Sequence, residues 1–339
     1  MRYLVTGATG FIGSEVARQL RAAGDDVVAL VRNTARATAL SGIGVELKQG
    51  DITEVQTVRA AMTGVDGVFH LAGWYRIGVR DASQAWAINV HGTRNVLEAM
   101  RDQNIPRGVY TSTLAVFSDT HGILVNETYR HNGPWLSVYD QTKWAAHYEV
   151  AEPMMRAGLP LIVVQPGAVY GVADPSPLGQ AISAYLTRRL PGVPAGSAYC
   201  WGHVADTAQA HILAMHKGAL GESYIVAGPP HSLLEALQIA EQVTGIPPPR
   251  LIVPTWVMRS QATVMGALER LPFWPTLPPT LTAEYARVSA GRTYLGSNEK
   301  ARRELSYGPR SLLDGLREVL PEELKRLGVA VRHGPAAAP

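Results

Sequence analysis

The chain has 339 residues, 46% of them hydrophobic and 17% charged, and its formal net charge is +3. This composition is typical of a globular protein of one large domain or two closely packed ones, and it excludes a disordered chain. No apolar run reaches the ~18 residues of a membrane span, no segment fits a secretion signal, and no basic cluster fits a nucleic-acid arm. We therefore expect neither a membrane nor a nucleic acid as a partner. The single cysteine, Cys200, cannot form an internal disulfide, which favours a cytoplasmic location.

Short apolar runs alternate with helical patterns through the first half of the chain. We predict strands at Tyr3–Thr6, Val27–Val31, Val45–Gln49, Gly67–His70, Gly108–Ser112 and Leu161–Gln165. We predict helices at Ile12–Ala23, Val55–Met62, Ala85–Asp102 and Tyr139–Ala157. This alternation predicts right-handed βαβ units and an α/β fold with a doubly wound parallel sheet.

The regular alternation ends after Gly171, where the segments ADPSPLG and LPGVPAG predict loops. We predict further helices at Ser232–Thr244 and Ser311–Leu327, and a strand at Tyr224–Ala227 that returns to the sheet. The sequence thus predicts a dinucleotide-binding domain at 1–171 and 203–228, a smaller, less regular C-terminal substrate lobe at 172–202 and 229–332, and a loose tail at 333–339.

Three glycines, Gly7, Gly10 and Gly13, lie between the first predicted strand and the first predicted helix, in the segment TGATGFIG. Glycine permits a tight turn and lets the backbone approach a pyrophosphate. The helix N-terminus near Phe11 and Ile12 offers free N–H groups to the same anion. A glycine triplet alone is weak evidence, but the strand and the helix that the motif demands are both predicted here. We therefore predict a dinucleotide site.

The second predicted strand ends in VVALVRN, so that Arg32, and Arg36 a helical step later, stand where an NAD site typically has an acidic residue. A guanidinium pairs bidentately with a phosphate, which favours NADP over NAD. Asp51, after the third strand, either accepts a hydrogen bond from adenine or caps the next helix. We assign cofactor contacts in this half of the chain to Thr6, Gly7, Gly10, Phe11, Ile12, Gly13, Arg32, Arg36, Asp51, Ile52, Leu71, Ala72 and Gly73.

Tyr139 and Lys143 are four residues apart on a predicted helix and therefore share a face. A neighbouring ammonium favours the phenolate, so we expect Lys143 to lower the Tyr139 pKa and to make this phenol a general acid or base. Lys143 is also expected to hold the nicotinamide ribose. Hydroxyls to orient a substrate oxygen follow the fifth strand, where alternation places Thr111 and Thr113 on one face and Ser112 on the other.

Six segments carry a resemblance to the extended short-chain dehydrogenase/reductase family, over nearly the whole chain: TGATGFIG, HLAG, NVHGTRNV, TSTLAVF, YDQTK and QPGAVYG. The resemblance implies a Rossmann fold, Tyr139 as acid and base with Lys143 beside it, and Thr113 as the catalytic hydroxyl. Ser112 is the alternative hydroxyl, because VFS at 116–118 departs from the family's Val-Tyr-Gly pattern. The resemblance gives Asn89 a place in a proton relay, with a packing role as the alternative. It places against the nicotinamide the residues Pro166, Gly167, Ala168 and Val169.

Within this family, HLAGWYRIGVRD and ALVRN are most similar to the dihydroflavonol-4-reductase-like branch, whose members often act on bulky apolar skeletons. Six side chains of the lobe either line an apolar pocket or fill the lobe core: Trp201, Trp256, Met258, Met265, Phe273 and Trp274. The family also implies a homodimer through the helices near 85–102 and 139–157.

The sequence thus predicts an NADP-dependent, metal-free oxidoreductase that interconverts a ketone and a secondary alcohol on a small molecule. One alternative is a nucleotide-sugar epimerase or dehydratase with tightly bound NAD, although QPGAVYG lacks the Asn that such relatives often carry. The other alternative is a dinucleotide-sensing regulator, which the presence of Tyr139 and Lys143 disfavours.

Overall fold

The computed structural model describes residues 1–271, 273–275, 277–278 and 281–329. Its strands, in chain order, are β1 (Arg2–Thr6), β2 (Asp26–Val31), β3 (Glu46–Gln49), β4 (Gly67–His70), β5 (Gly108–Thr111), β6 (Leu161–Pro166), β7 (Ala168–Tyr170), β8 (Val193–Pro194), β9 (Ala198–His203), β10 (Ser223–Val226), β11 (Pro230–Ser232), β12 (Ile252–Val253) and β13 (Thr293–Tyr294). Its α-helices are α1 (Phe11–Ala22), α2 (Thr38–Gly42), α3 (Val55–Met62), α4 (Ser83–Ala85), α5 (Thr93–Asp102), α6 (Val138–Ala145), α7 (Glu152–Arg156), α8 (Pro177–Leu186), α9 (Val204–Lys217), α10 (Leu233–Thr244), α11 (Thr255–Leu268), α12 (Ala283–Ser289), α13 (Glu299–Leu305) and α14 (Leu312–Arg326). The predicted tail at 333–339 and the last residues of the predicted lobe lie outside the described residues.

Seven parallel strands form the central sheet in the order β10-β6-β5-β4-β1-β2-β3. This confirms the predicted doubly wound sheet, and the bounds of the six strands predicted in the first half differ by at most one residue from those observed. The strand order reverses between β1 and β4, which are hydrogen-bonded neighbours. Open sheets of this kind bind ligands outside the carboxyl ends of the strands at that switch point.

Both faces of the sheet are buried. Successive residues of a strand point to opposite faces, so neighbouring residues belong to different cores. Val5 and Ala29 belong to the core on one face, whereas Leu4 and Val28 belong to the core on the other. The two long helices predicted at 85–102 and 139–157 are each continuous but contain a π-helical segment, Trp86–Gly92 between α4 and α5 and Ala146–Ala151 between α6 and α7.

The first proline-rich segment after Gly171 is not only a loop as predicted, because α8 begins inside it at Pro177. Ser176 precedes this helix, and its hydroxyl accepts a hydrogen bond from the Gly179 backbone N–H at 3.2 Å. Proline is well tolerated in the first turn of a helix, where its missing N–H costs nothing. The Ser-Pro pair is therefore a helix start, and reading its proline as a loop signal was wrong.

A second, smaller sheet has the order β11-β9-β13, with β7 also paired to β9. Through strand β13 of this sheet, residues late in the chain contact residues of the first half. The Thr120 N–H donates to the Thr293 carbonyl at 2.8 Å, and the Arg292 guanidinium pairs with the Asp119 carboxylate at 2.8 Å. Among the described residues, no helix combines the length and the apolar character that crossing a bilayer requires.

Candidate active site

The predicted glycine turn joins β1 to α1 at the carboxyl edge of the sheet and is packed too tightly for side chains at two of its positions. Gly7 has a φ of 74°, and a methyl group there would lie 2.6 Å from the Ala72 nitrogen. A methyl group on Gly13 would lie 2.2 Å from the Gly7 carbonyl oxygen. Gly10 is exposed and, as the N-cap of α1, offers no capping side chain. The turn therefore excludes a side chain at Gly7 and Gly13 and is also tight at Gly10, where a methyl group would lie 3.1 Å from the Gly7 carbonyl oxygen.

The open N-terminus of α1 suits an anion. No acidic residue lies in its first turn, and the first N–H groups of a helix lack intrahelical acceptors and carry a positive partial charge. Phe11 and Ile12, in that first turn, are partly buried. A cradle too tight for side chains, ending in free N–H groups, fits the pyrophosphate of a dinucleotide.

The loop after β4 forms the neighbouring part of this edge. Leu71 and Ala72 are partly buried and Gly73 is exposed. Thr6 is fully buried beneath the loop, where its hydroxyl lies 2.7 Å from His70 Nδ1 and accepts the Ala72 N–H at 3.3 Å. The Thr6 side chain thus holds this loop in place and does not face a ligand.

Two exposed arginines follow β2. No hydrogen bond or ion pair within the described ranges engages the guanidinium group of Arg32 or Arg36.

Asp51 is not the N-cap of α3, because that position belongs to Glu54. Instead, the Asp51 carboxylate accepts the Thr53 N–H at 2.9 Å, so the helix-cap interpretation was wrong. Ile52 is only 6% exposed and belongs to the core under the sheet.

The α6 helix carries Tyr139 and Lys143 to the end of β5, and Ser137 caps its N-terminus. The Thr113 hydroxyl accepts the Ala115 N–H at 3.1 Å, and the Thr113 side chain acts to lower the pKa of Tyr139. Lys143 Nζ donates to the Thr111 carbonyl at 2.7 Å and to the Tyr110 hydroxyl at 3.1 Å.

The predicted alternation holds for Thr111 and Ser112, which face opposite sides of the sheet. It does not extend to Thr113, because β5 ends at Thr111. The Thr111 hydroxyl lies 2.9 Å from His211 Nε2 on α9, on one side of the sheet. The Ser112 hydroxyl lies 2.7 Å from His147 Nδ1 on the other side, in a buried pair. Thr113, past the strand end, lies on the α6 side as well. Of the two candidate catalytic hydroxyls, Thr113 acts on the pKa of Tyr139, whereas Ser112 is paired with His147.

Burial sets the protonation of the Tyr139 and Lys143 side chains. It raises the pKa of Tyr139 to about 12, against an opposing effect of the Thr113 side chain. Burial also lowers the pKa of Lys143 to about 7. The expected lowering of the Tyr139 pKa by Lys143 is not observed, because the ammonium is engaged by Thr111 and Tyr110 and burial dominates at the phenol.

Asn89 lies in the π-helical segment and is 1% exposed. Its amide nitrogen donates to the Thr142 hydroxyl at 2.9 Å and to the Trp74 carbonyl at 3.0 Å, while its oxygen accepts the Trp74 N–H at 2.7 Å. These bonds tie the loop after β4 to α6, which is the packing role that the sequence left open as the alternative.

The segment from Pro166 to Val169 leaves the end of β6 and enters the second sheet as β7. A methyl group on Gly167 would lie 2.3 Å from the Cys200 carbonyl oxygen, so the backbone is held closely against β9 at this point. Ala168 and Val169 pair with Trp201 and Gly202 and remain partly exposed.

Tyrosine rings gather beside Tyr139. The Tyr75 ring centroid lies 4.5 Å from that of Tyr139, and Tyr199 and Tyr294 stack at 6.1 Å. The Tyr294 hydroxyl reaches the buried Asp140 carboxylate at 3.4 Å, next to Tyr139 in the chain. Burial raises the pKa of Asp140 to about 7.

The residues expected from the sequence to line an apolar pocket have other surroundings. Trp201 is 2% exposed in the core of the lobe, and Met258 is buried between α11 and α12. Trp256 and Phe273 are on the outer surface, 70% and 96% exposed. The core interpretation therefore holds for Trp201 and Met258, and neither interpretation holds for Trp256 and Phe273.

The sequence model of the NAD dependent epimerase/dehydratase family matches residues 3–227, which include the glycine turn, Tyr139 and Lys143. The chain belongs to this family. Members bind a nicotinamide dinucleotide, and the fit of the Gly7–Gly13 cradle agrees with that. The chain is accordingly an enzyme, an oxidoreductase that depends on a nicotinamide cofactor.

Three relatives within the epimerase/dehydratase family match almost the whole chain. "Sterol demethylase protein B" of Methylococcus capsulatus is 32% identical over 92% of this chain and 94% of the relative. A "putative dihydroflavonol 4-reductase" of Synechocystis is 30% identical over 94% and 93% of the two chains. The "4-hydroxy-2-methyl-3-oxo-4-farnesyl-3,4-dihydroquinoline-1-oxide ketoreductase" of Stigmatella aurantiaca is 32% identical over 95% and 97%. The similarity to the dihydroflavonol-4-reductase-like branch is thereby confirmed.

A network of buried polar side chains beneath the carboxyl edge of the central sheet was not predicted from the sequence. The Tyr110 hydroxyl accepts from Lys143, and Thr93 acts to lower the pKa of Tyr110 against the effect of burial. The Thr93 hydroxyl lies 3.0 Å from His70 Nε2. His70 continues the network to Thr6. Burial lowers the pKa of His70 to about 3, so the ring is neutral. The available signal was a polar residue at the end of an otherwise apolar strand, in GVFH.

Proposed function

We propose that the protein is an NADP-dependent oxidoreductase that interconverts a ketone and a secondary alcohol on a bulky, largely apolar substrate. The observation that carries the proposal is that three groups come together at the end of β5. Lys143 is buried one helical turn from Tyr139, and the Thr113 side chain acts on the pKa of Tyr139. A hydroxyl that orients a substrate oxygen and a phenol that exchanges its proton are the two groups that carbonyl reduction needs.

When bound, the nicotinamide ring supplies or accepts the hydride. In the direction of reduction, Tyr139 gives its proton to the substrate oxygen, and in oxidation it takes that proton back. With its pKa raised to about 12, the phenol keeps its proton at neutral pH, which suits donation to a developing alkoxide. Thr113 orients the same oxygen, and Lys143 would hold the ribose hydroxyls.

Support for an apolar substrate comes from two sources. Two of the relatives are named for a sterol and for a farnesyl-bearing quinoline. The ring faces of Tyr75, Tyr199 and Tyr294, close to Tyr139, offer apolar contact area with few rotatable bonds.

The decisive test is turnover of a panel of bulky ketones by the Tyr139→Phe variant. We expect kcat to fall by roughly 10²–10⁴ with little change in cofactor affinity, because only the exchangeable proton is lost. Tyr75→Phe is the matched control, since its ring touches Tyr139 but its hydroxyl has no role in the proposal. Unchanged turnover in Tyr139→Phe would overturn the proposal.

The choice of NADP is supported by the exposed, unengaged guanidinium groups of Arg32 and Arg36. Titration calorimetry should give a clear preference for NADPH over NADH. Arg32→Asp should weaken NADPH binding by roughly tenfold or more, whereas the exposed Arg94→Asp on α5 should not. NAD that co-purifies in equal amount with the protein and does not exchange would instead indicate the nucleotide-sugar alternative.

A further inference from the structure

The α11 helix packs against the rest of the protein by one narrow face. Met258 and Ala262 contact Ala286 of α12 and its neighbours, and a methyl group on Gly266 would lie 3.6 Å from the Ala283 side chain. This spacing of four residues places the contacts on one stripe of the helix. Met258 is the single residue of the 14-residue helix that is fully buried.

The opposite face of α11 exposes large apolar side chains. Trp256 is 70% exposed and Val264 is 57% exposed, and Leu271, just beyond the helix, is 51% exposed. At about 100° per residue, Trp256 and Val264 fall within about 80° of each other on the helix. Next to them in the chain, Leu251 and Ile252 are 58% and 47% exposed. Exposed apolar residues that cluster in this way mark an interaction surface.

A basic edge borders this apolar stripe. Arg259 lies on α11 and Arg270 lies two residues beyond its last residue, and both are exposed. Neither guanidinium is engaged by a carboxylate in the ranges that the structure describes. The two acidic residues of the α11–α12 pair are already used, because Glu269 accepts the Ala283 N–H and Glu284 accepts two backbone N–H groups.

We propose that this face of α11 docks on an anionic lipid surface. A helix with Trp and aliphatic side chains on one stripe and arginines at its border is the pattern of a helix that lies in a membrane interface. The charge distribution argues against a second copy of this chain as the occupant. In a twofold contact the same face would meet itself, and the carboxylates of Glu269 and Glu284 in this helix pair are already engaged by backbone N–H groups.

A contact of a surface helix with lipid was not predicted from the sequence. The expectation of no membrane partner followed from the lack of a spanning run. A helix that lies on a surface buries only one stripe and needs no such run. The proposal is independent of the substrate and of the cofactor, so its test does not use turnover.

The test is co-sedimentation of the full chain with vesicles of phosphatidylcholine, alone or with added phosphatidylglycerol. We expect binding to the anionic vesicles that weakens as salt is added. Trp256→Ser/Val264→Ser and Arg259→Glu/Arg270→Glu should each lower the partition coefficient by roughly tenfold or more. The control is Ile123→Ser/Leu124→Ser, an equally exposed apolar pair on another part of the surface, at 63% and 52%.

Circular dichroism and thermal unfolding of each variant establish that it is folded, and sedimentation velocity gives its oligomeric state. Equal binding by the patch variants and the control variant would overturn the proposal, as would no binding by the wild type. A wild-type dimer that dissociates in the patch variants, without vesicle binding, would assign the face to a second copy and overturn it as well.

Discussion

The Glu284 carboxylate of α12 accepts hydrogen bonds from two backbone N–H groups in the first half of the chain. One is that of Val138, 2.7 Å from Oε1, and the other is that of Gly78. Val138 begins the helix that carries Tyr139, and Gly78 belongs to the loop that carries Tyr75. Since Glu284 is only 5% exposed, a single buried side chain positions the two segments that meet at Tyr139.

We expect Glu284→Ala to lower both the stability and kcat. Each buried N–H left without an acceptor costs about 1–3 kcal/mol, and α6 loses the contact at its first residue. Thermal unfolding and steady-state kinetics measure the two effects. The matched control is Glu269→Ala, which removes one backbone contact within the α11–α12 pair, to Ala283 at 2.9 Å, without reaching α6. An equal loss of kcat in both variants would contradict a positioning role for Glu284.

The two candidate hydroxyls should separate into a catalytic and a structural effect. Thr113→Val keeps the shape of the side chain and should lower kcat by roughly 10²-fold or more, because the donor to the reacting oxygen is lost. Ser112→Ala leaves His147 without its partner and should lower the free energy of unfolding by about 1–3 kcal/mol with a small change in kcat. The reverse pattern in kinetics and denaturant unfolding would reassign the catalytic hydroxyl to Ser112.

Asp140 should make the protein less stable as the pH rises toward neutrality. Its pKa is raised from the ordinary 3.8 to about 7, so between these values the folded state binds a proton that the unfolded state does not. The stabilisation is complete below pH 3.8 and is lost as the pH rises through about 7. Asp140→Asn should flatten urea-unfolding stability over this window, and the exposed Glu54→Gln should not. A slope that persists in Asp140→Asn would refute the assignment.

Tyr110→Phe should leave the Lys143 ammonium less firmly positioned. The variant removes one of two acceptors of the ammonium, and a hydrogen bond to a charged group contributes about 1.5–3 kcal/mol. We expect KM for the nicotinamide cofactor to rise roughly tenfold, since Lys143 is freer to move. Tyr224→Phe is the comparison, because that hydroxyl also makes two contacts at 3.0 Å, with Ala219 and Glu304, away from the site. If KM rose equally in both variants, the network would have only a structural role.

The central sheet could be predicted because its signals are local. Each of its strands in the first half is a run of apolar residues that is covered on both faces, so composition alone marks its position. The second sheet could not be predicted in the same way. β7, β9, β11 and β13 are two to six residues long and pair across long stretches of chain, and no short window of sequence contains that pairing.

The residues of the candidate site also divide into those with a local sequence signal and those without one. Tyr139 and Lys143 are related by helical spacing, and the glycines by a turn, so both were within reach of the sequence. Glu284 and Tyr294 come from positions more than a hundred residues away and approach α6 only through tertiary packing. The alternation rule failed at Thr113 because it applies only while the strand lasts, and β5 ends two residues earlier.

The return of β13 to the first half has a consequence for any shortened form of the chain. Thr293 and Arg292 supply partners to Thr120 and Asp119, so the segment after β5 is completed by residues from the far end of the chain. A fragment of the first 228 residues would leave the buried Asp119 carboxylate without the Arg292 guanidinium and the Thr293 N–H. The segment that follows Thr113 therefore has its full set of hydrogen bonds only in a chain that extends through β13.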